Sequence, residues 1–323
     1  MDLFTNANYN FIRWRWHAIA VSALIVLVGL VQVARQGVPL GIDFSGGTIV
    51  VLRFQETVSE EDVRNALENI PGEKVVQQYG DAANNEVLVR LPQVEASEQG
   101  TSLEQGARQV IEAVGKADIG QFEVTSTEIV GPVIGKDLQR KGIYATLASI
   151  LGIAAYIAFR FRPSFAIGAI AATLHDVVVT MAFLVFFGYE LSLNIIAAIL
   201  TITGYSVNDT IVIFDRVREN ARTMRGAALD LQVNTAVNQT LSRTIITAGT
   251  TFLSVLALYM FGGEVLEGFA FTMLVGIVSG TFSTVFIASS LAIALSKNVA
   301  TAAPAPVRES SDRPRRRRER RNV

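Results

Sequence analysis

Three ionisable side chains lie inside long apolar stretches of this 323-residue sequence: Asp176, Asp209 and Arg243. A charge at the centre of a membrane helix costs about 2.5–3.5 kcal/mol on insertion scales, so such residues persist where they pair, bind or move charge. At about 100° per residue, Asn194, Ala198, Thr201, Tyr205 and Ser206 fall on the side of a helix that carries Asp209. Thr247, Thr250 and Ser254 fall on the side that carries Arg243. The two polar stripes start at similar depth and would satisfy each other if the helices pack together. Asp209 with Arg243 then reads in two ways. One is a static ion pair that fixes packing. The other is a proton site, in which desolvation and the nearby cation act in opposite senses on the carboxyl, so that a small helix movement loads and unloads a proton.

Each proton moved through the membrane potential supplies about 2.3 kcal/mol per 100 mV. Asn208, Asp209 and Thr210 also offer hard oxygen ligands, which leaves sodium open as the coupling ion. Asp176 reads equally well as a structural acceptor for Thr173, Thr180 or a neighbouring backbone group. His175 faces about 100° away from it on the same helix and reads as a packing histidine.

The elements that must position these residues are membrane helices. Half of the residues are hydrophobic, there is no cysteine, and the mean hydropathy is +0.38, which excludes a disulfide scaffold, a thiolate metal site and a disordered chain. A span needs about 20 mostly apolar residues, and six runs qualify: 17–34, 142–159, 165–187, 191–214, 244–261 and 269–295. The last is long enough to tilt or to break at its glycines. The first is longer than a signal-peptide core and reads as an uncleaved anchor. Arg13, Arg15, Arg160, Arg162, Arg216, Arg218, Arg222, Arg225 and Lys297 all fall on one side of the spans, which places both termini in the cytoplasm. Trp14 and Trp16 stand at the inner mouth of the first span, either as an aromatic belt or buried.

The opposite side receives an acidic insert, with 17 acids against 8 bases between Gln36 and Arg140. Its pattern predicts strands at Thr48–Phe54, Lys74–Tyr79, Glu86–Leu91 and Phe122–Val130, with a Ser59-capped helix ending near Ile70-Pro71-Gly72 and a second helix over Leu103–Ala117. The order β-α-β-β-α-β is that of a ferredoxin-like domain. The insert has no histidine and its carboxylates are scattered, so it reads as a binding or mechanical module and the chain as no enzyme. The expected division is a cytoplasmic N-terminus (1–16), the first span (17–34), the ferredoxin-like domain (35–140), a five-helix remainder (141–296) and a basic tail (297–323). Glycines 41, 46 and 47 read as a tight turn into the domain. Thr272, Gly276, Gly280, Thr284 and Ala288 form a small-residue face that permits close helix contact, with another subunit as one candidate for the facing helix. The tail around Arg313–Arg321 reads as disordered, either solvated or drawn to anionic lipid or the ribosome.

These motifs carry a resemblance. Gly41-Ile42-Asp43-Phe44-Ser45-Gly46-Gly47-Thr48, Val130-Gly131-Pro132, His175-Asp176, Gly204-Tyr205-Ser206-Val207-Asn208-Asp209, Phe214-Asp215-Arg216, Leu241-Ser242-Arg243-Thr244 and Leu266-Glu267-Gly268-Phe269 are similar, in order and topology, to the SecD/SecF family of bacterial protein-export membrane subunits. That family is related to the resistance-nodulation-division transporters. The resemblance covers about residues 10–296 and implies a bacterial inner-membrane location with a SecD partner. It also implies association with SecYEG, the SecA motor and, in larger assemblies, YajC and YidC. Unfolded preprotein would be the substrate, the proton motive force the energy source, and no cofactor or metal is implied. It further implies proton-pathway roles for Asp209 and Arg243, beside which Asp176, Asn208 and Tyr205 are the remaining candidates. Two rivals fit less well. A small-molecule exporter half would call for a second bundle in one chain and an aromatic pocket, and an intramembrane aspartyl protease would show Gly-x-Gly-Asp where this chain has Ser206-Val207-Asn208-Asp209. A non-catalytic scaffold with static charges is the third alternative.

Overall fold

Apolar runs of this length can bury their backbone polar groups only as helices. The computed structural model, which describes residues 7–71, 74–80, 82–91 and 101–302, accordingly contains six helices long and apolar enough to cross a membrane. They are α1 (Arg15–Gln36), α5 (Pro132–Arg160), α6 (Pro163–Phe186), α7 (Leu193–Thr223), α8 (Leu229–Phe261) and a last one in two parts, α9 (Glu264–Ser283) and α10 (Ser289–Ala302). Proline opens α5 and α6 at their first position, where its missing N–H costs nothing. Ser192 caps α7 by accepting from the Ile195 amide.

Several helices outrun the apolar stretches that announce them. α5 begins ten residues before its expected start at Gly142, α7 continues nine past Phe214, and α8 starts at Leu229 instead of Thr244. The added turns are polar and pair with one another at the bundle end: Asn220 donates to Gln239 Oε1 (3.0 Å), and Gln232 donates to Ala227 O (2.9 Å). The last span is interrupted at a π turn, Thr284–Ala288, and not at its glycines. Trp14 and Trp16 are 62% and 66% exposed, which removes the buried alternative and suits a belt at the membrane surface.

Helices α6, α7 and α9 form the inner layer, and α1, α5 and α8 lie outside it with most of their apolar surface exposed. The small-residue face of α9 explains the close packing. A Cβ on Gly276 would stand 2.2 Å from Ile202 Cδ1, and one on Gly280 would stand 3.0 Å from Ser206 Cβ. This stripe is used inside the chain, against α7, and not against a second subunit as the sequence suggested.

Between α1 and α5 lies the polar insert. A short helix α2 (Ile42–Ser45) leads into β1 (Gly47–Phe54), α3 (Glu60–Ala66), β2 (Val75–Tyr79), β3 (Glu86–Leu91), α4 (Thr101–Ala117) and β4 (Phe122–Val130). The strands make one antiparallel sheet in the order β2-β3-β1-β4. Val50, Leu52 and Val89 of the sheet are buried against Val63 and Leu67 beneath α3 and Val110 and Val114 of α4. α3 is shorter than expected, because its last regular turn closes at Ala66 and only isolated turns follow to Ile70. Ser59 caps it by accepting from the Asp62 amide at 3.1 Å. Replacing Ser59 with alanine should cost about 1 kcal/mol locally, raising the amide opening constants of α3 about fivefold in hydrogen exchange on the intact chain.

Candidate functional site

Two carboxylates sit inside the bundle in opposite conditions. Asp176, in the middle of α6, is 1% exposed and accepts from three hydroxyls: Ser206 of α7 (2.6 Å), Ser279 of α9 (2.7 Å) and Ser283 of α9 (2.7 Å). His175 Nδ1 lies 3.1 Å from its Oδ1, and the opposite ring nitrogen of His175 is hydrogen-bonded to Ser22 of α1. A carboxylate has about four acceptor positions, and here all are filled. Thr173 and Thr180, the expected partners, do not take part. Thr173 donates to Ala169 O, and the Thr180 hydroxyl is buried without a partner among the described residues. His175 is more than packing, since it joins α1 to the Asp176 cage.

Asp209 lies about three-quarters of the way along the apolar part of α7, Leu193 to Phe214. Its Oδ1 accepts from Thr244 Oγ1 of α8 at 2.8 Å, and its Oδ2 is buried with no hydrogen-bond partner among the described residues. Arg243 is exposed and, among the described residues, forms no ion pair with Asp209 or any other acid within 4.0 Å. One helical position of about 100° separates the two neighbours, so Thr244 turns inward to the carboxylate and Arg243 outward. Asn208 is exposed too, and Tyr205 is half-buried against the apolar cluster of α7, α8 and α9. One turn past Ser206 on α7 and one residue past Ser283 on α9, Thr284 Oγ1 meets Thr210 Oγ1 at 2.9 Å where the π turn begins. Such one-turn π segments concentrate at functional sites.

The polar residues of α7 and α8 meet at two places, Thr244 with Asp209 and Tyr205 with Thr251, while the rest of the two expected stripes stays apart. Thr201, Asn208, Arg243, Thr247, Thr250 and Ser254 are all exposed, and the hydroxyls of Thr201, Thr250 and Ser254 fold back onto carbonyls of their own helices. A polar, cationic strip is thereby left on the outside of a membrane bundle.

A latch ties the sheet to the same helix. Gly41 donates to Leu191 O (2.8 Å), Leu191 donates to Pro39 O (2.7 Å), and Asp43 Oδ2 accepts from the Leu193 amide at the start of α7 (2.9 Å). Arg90, on β3, donates to Leu40 O (2.8 Å) and Ser45 Oγ (2.9 Å) and is paired with Glu190. The glycine-rich segment is therefore a helix flanked by turns. Gly46 and Gly47 take φ of 72° and 134°, conformations that only glycine adopts cheaply. Gly135 of α5 lets α2 approach, since a Cβ there would come within 3.1 Å of Phe44 O. In the adjoining loop Tyr189 donates to Glu267 Oε1 (2.6 Å), and burial followed by that hydrogen bond pushes its phenol far above the ordinary range, so it stays a donor. Arg90 and the aspartate of this segment were not singled out from sequence. Their partners lie 45 to 150 residues away, and no local spacing announces them.

Fold and site together define a polytopic membrane protein with an α/β domain inserted after its first span, a saturated carboxylate in its core and a half-satisfied one near a polar outer strip. Residues 109–298 match the family described as "Protein export membrane protein SecD/SecF, C-terminal", and residues 33–58 match the "SecD/SecF GG Motif". The chain belongs to the SecD/SecF family. It is 42% identical to "Protein translocase subunit SecF" of Desulfurispirillum indicum, over 88% of this chain and 90% of that one. It is 37% identical to the protein of the same name from Escherichia coli O157:H7, over 89% and 88%. Among solved structures, it is similar to the crystal structure of SecDF, a translocon-associated membrane protein from Thermus thermophilus, with a TM-score of 0.80 and 36% identity. That match covers 92% of this chain and 40% of the longer SecDF chain.

Proposed function

We propose that the chain is a protein-export membrane subunit that couples proton entry at Asp209 to movement of its outer domain, promoting late steps of preprotein translocation. The observation that carries this is that, among the described residues, Asp209 Oδ2 has no hydrogen-bond partner and Arg243, on the exposed strip beside it, forms no ion pair within 4.0 Å. A buried acceptor left unmade costs about 1–3 kcal/mol, and a carboxyl in that state has an open position for a proton. An exposed arginine and five exposed hydroxyl or amide side chains on spanning helices also call for a cover other than lipid. A second, SecD-like bundle fits that need, since the relatives are named SecF and the match covers 92% of this chain but only 40% of the similar solved SecDF chain.

On this reading the complex works with SecYEG and SecA, with YajC and YidC as further neighbours, in the bacterial inner membrane. The run of basic residues supports cytoplasmic termini. The antiparallel order β2-β3-β1-β4 with α3 and α4 on one face supports a ferredoxin-like domain over about residues 35–140, between the span at 17–34 and the five-helix remainder at 141–296. Any role of the arginine-rich stretch near Arg313–Arg321 in binding anionic lipid or the ribosome lies outside the described residues.

The test compares wild type with Asp209→Asn in inside-out vesicles containing the whole export complex, following late preprotein movement with and without an imposed proton gradient. Asparagine keeps the size and removes the titration. The gradient should stimulate the wild type and leave the variant unchanged at equal assembly. Equal stimulation of both would move the proton pathway to another residue or to the partner.

A further inference from the structure

At the bundle end opposite the sheet, the α5–α6 turn, the last turns of α7 and the start of α8 enclose a cavity of about 630 Å³. Its walls are aromatic. Phe214 is buried, with its ring edge-on to Phe165 (5.0 Å) and Phe161 (5.9 Å), so this side of the cavity is fixed by packing. Phe159, also on the lining, is 95% exposed at the end of a membrane span.

The rim is cationic. Arg160 is answered by Asp215, to which it donates twice (2.9 and 3.1 Å), and its guanidinium lies 5.4 Å from the centre of the Phe161 ring. Arg162, Arg218 and Arg222 form no ion pair among the described residues. Arg218 and Arg222 stand four residues apart on α7, a spacing at which like charges repel. The positive ends of α6 and α8 open at the same place, and Asp230, the acid in the first turn of α8, faces Arg15 at 3.6 Å. Three clustered guanidinium groups and two helix starts thus face a cavity with an apolar wall at the level where hydrocarbon gives way to headgroups. A soluble anion would leave the phenylalanines without a use.

We propose that this cavity holds one anionic phospholipid, its phosphodiester on Arg162, Arg218 and Arg222 and its glycerol and first acyl carbons on the phenylalanine wall. Arginine forks suit phosphate oxygens geometrically, and basic pockets at the ends of spanning helices are the usual headgroup sites. The leaflet concerned is the cytoplasmic one only if the proposed orientation holds; binding itself does not depend on it.

The test uses the full chain assembled with its partner subunit in phosphatidylcholine nanodiscs, titrated with a short-chain phosphatidylglycerol and read by native mass spectrometry. One molecule per chain should bind to the wild type, at least tenfold more weakly to Arg162→Gln/Arg218→Gln/Arg222→Gln, and within threefold of wild type to the corresponding lysine triple. Arg225→Gln, outside the cavity, should bind as wild type does. Equal binding by the glutamine triple, or equal binding of short-chain phosphatidylcholine, overturns the proposal. Equal affinity for glycerol phosphate or inorganic phosphate overturns the lipid assignment in favour of a soluble phosphate. Orientation is read separately. The chain has no cysteine, so Arg225→Cys supplies a single thiol for an impermeant maleimide added outside the cell. Labelling there would sink the orientation and leave lipid binding standing.

Discussion

Asp176→Ala is expected to destabilise the bundle by about 3 kcal/mol, while Asp209→Asn is expected to change stability by less than about 0.5 kcal/mol. The asymmetry follows from hydrogen-bond accounting. Removing the Asp176 carboxylate takes the acceptor from Ser206, Ser279 and Ser283 at once, and each stranded hydroxyl costs about 1–3 kcal/mol if it finds nothing else. Ser283 has a ready alternative in Gly280 O at 3.2 Å, and serines in helices can turn to the carbonyl four residues back, which holds the sum near the lower bound. Asp209 keeps its Thr244 contact as asparagine, since the amide oxygen accepts as the carboxylate did. Thermal unfolding of the purified complex in one detergent distinguishes the two. An Asp176→Ala variant as stable as wild type would mean that the serine cage contributes nothing to the fold, and a strongly destabilised Asp209→Asn would remove the contrast between a structural and a working carboxylate.

Loss of the Arg90 side chain should release the latch between the sheet and α7. Arg90→Leu deletes two hydrogen bonds to Leu40 and Ser45 and the pair with Glu190, while keeping an apolar body on β3. Hydrogen bonds to a charged donor are worth about 1.5–3 kcal/mol each when buried, and the half-exposed Glu190 adds little. A net loss of about 2 kcal/mol corresponds to roughly a 30-fold rise in the open fraction of the latch. The readout is hydrogen exchange at the Gly41, Leu191 and Leu193 amides, all of which are bonded across the junction. If the proposed coupling holds, gradient-driven transport should fall with it, because the sheet would no longer follow α7. Unchanged protection at these amides would show that the backbone pairing holds the junction without Arg90.

The parts of this structure that were legible in the sequence are those set by local pattern. Alternation placed Glu86–Leu91 and Phe122–Val130 at their observed bounds, and uncharged runs located all six spans. Polar helix ends were not legible, because the turns of α8 before Thr244 are read by hydropathy as loop and are held as helix by Asn and Gln pairs across the α7–α8 turn. Helical phase put Arg243 near Asp209 but could not separate it from Thr244, one residue away, which makes the contact. The partners of Asp176 come from helices 30, 103 and 107 residues distant. Only the packing of α6, α7 and α9 into one layer brings them together, and the four-residue spacing of Ser279 and Ser283 is the sole local hint.

α7 runs unbroken from Leu193 to Thr223, and its latch contact at Leu193 lies 16 residues from Asp209. At 1.5 Å per residue that is an arm of about 24 Å, so a tilt of about 10° pivoting at Asp209 carries the latch end sideways by about 4 Å. A shift of that size exceeds the reach of any hydrogen bond in the junction. A rod on this fulcrum either drags the sheet with it or tears the junction open, which makes the strength of the Arg90 and Asp43 contacts the limit on how much motion the membrane half can deliver.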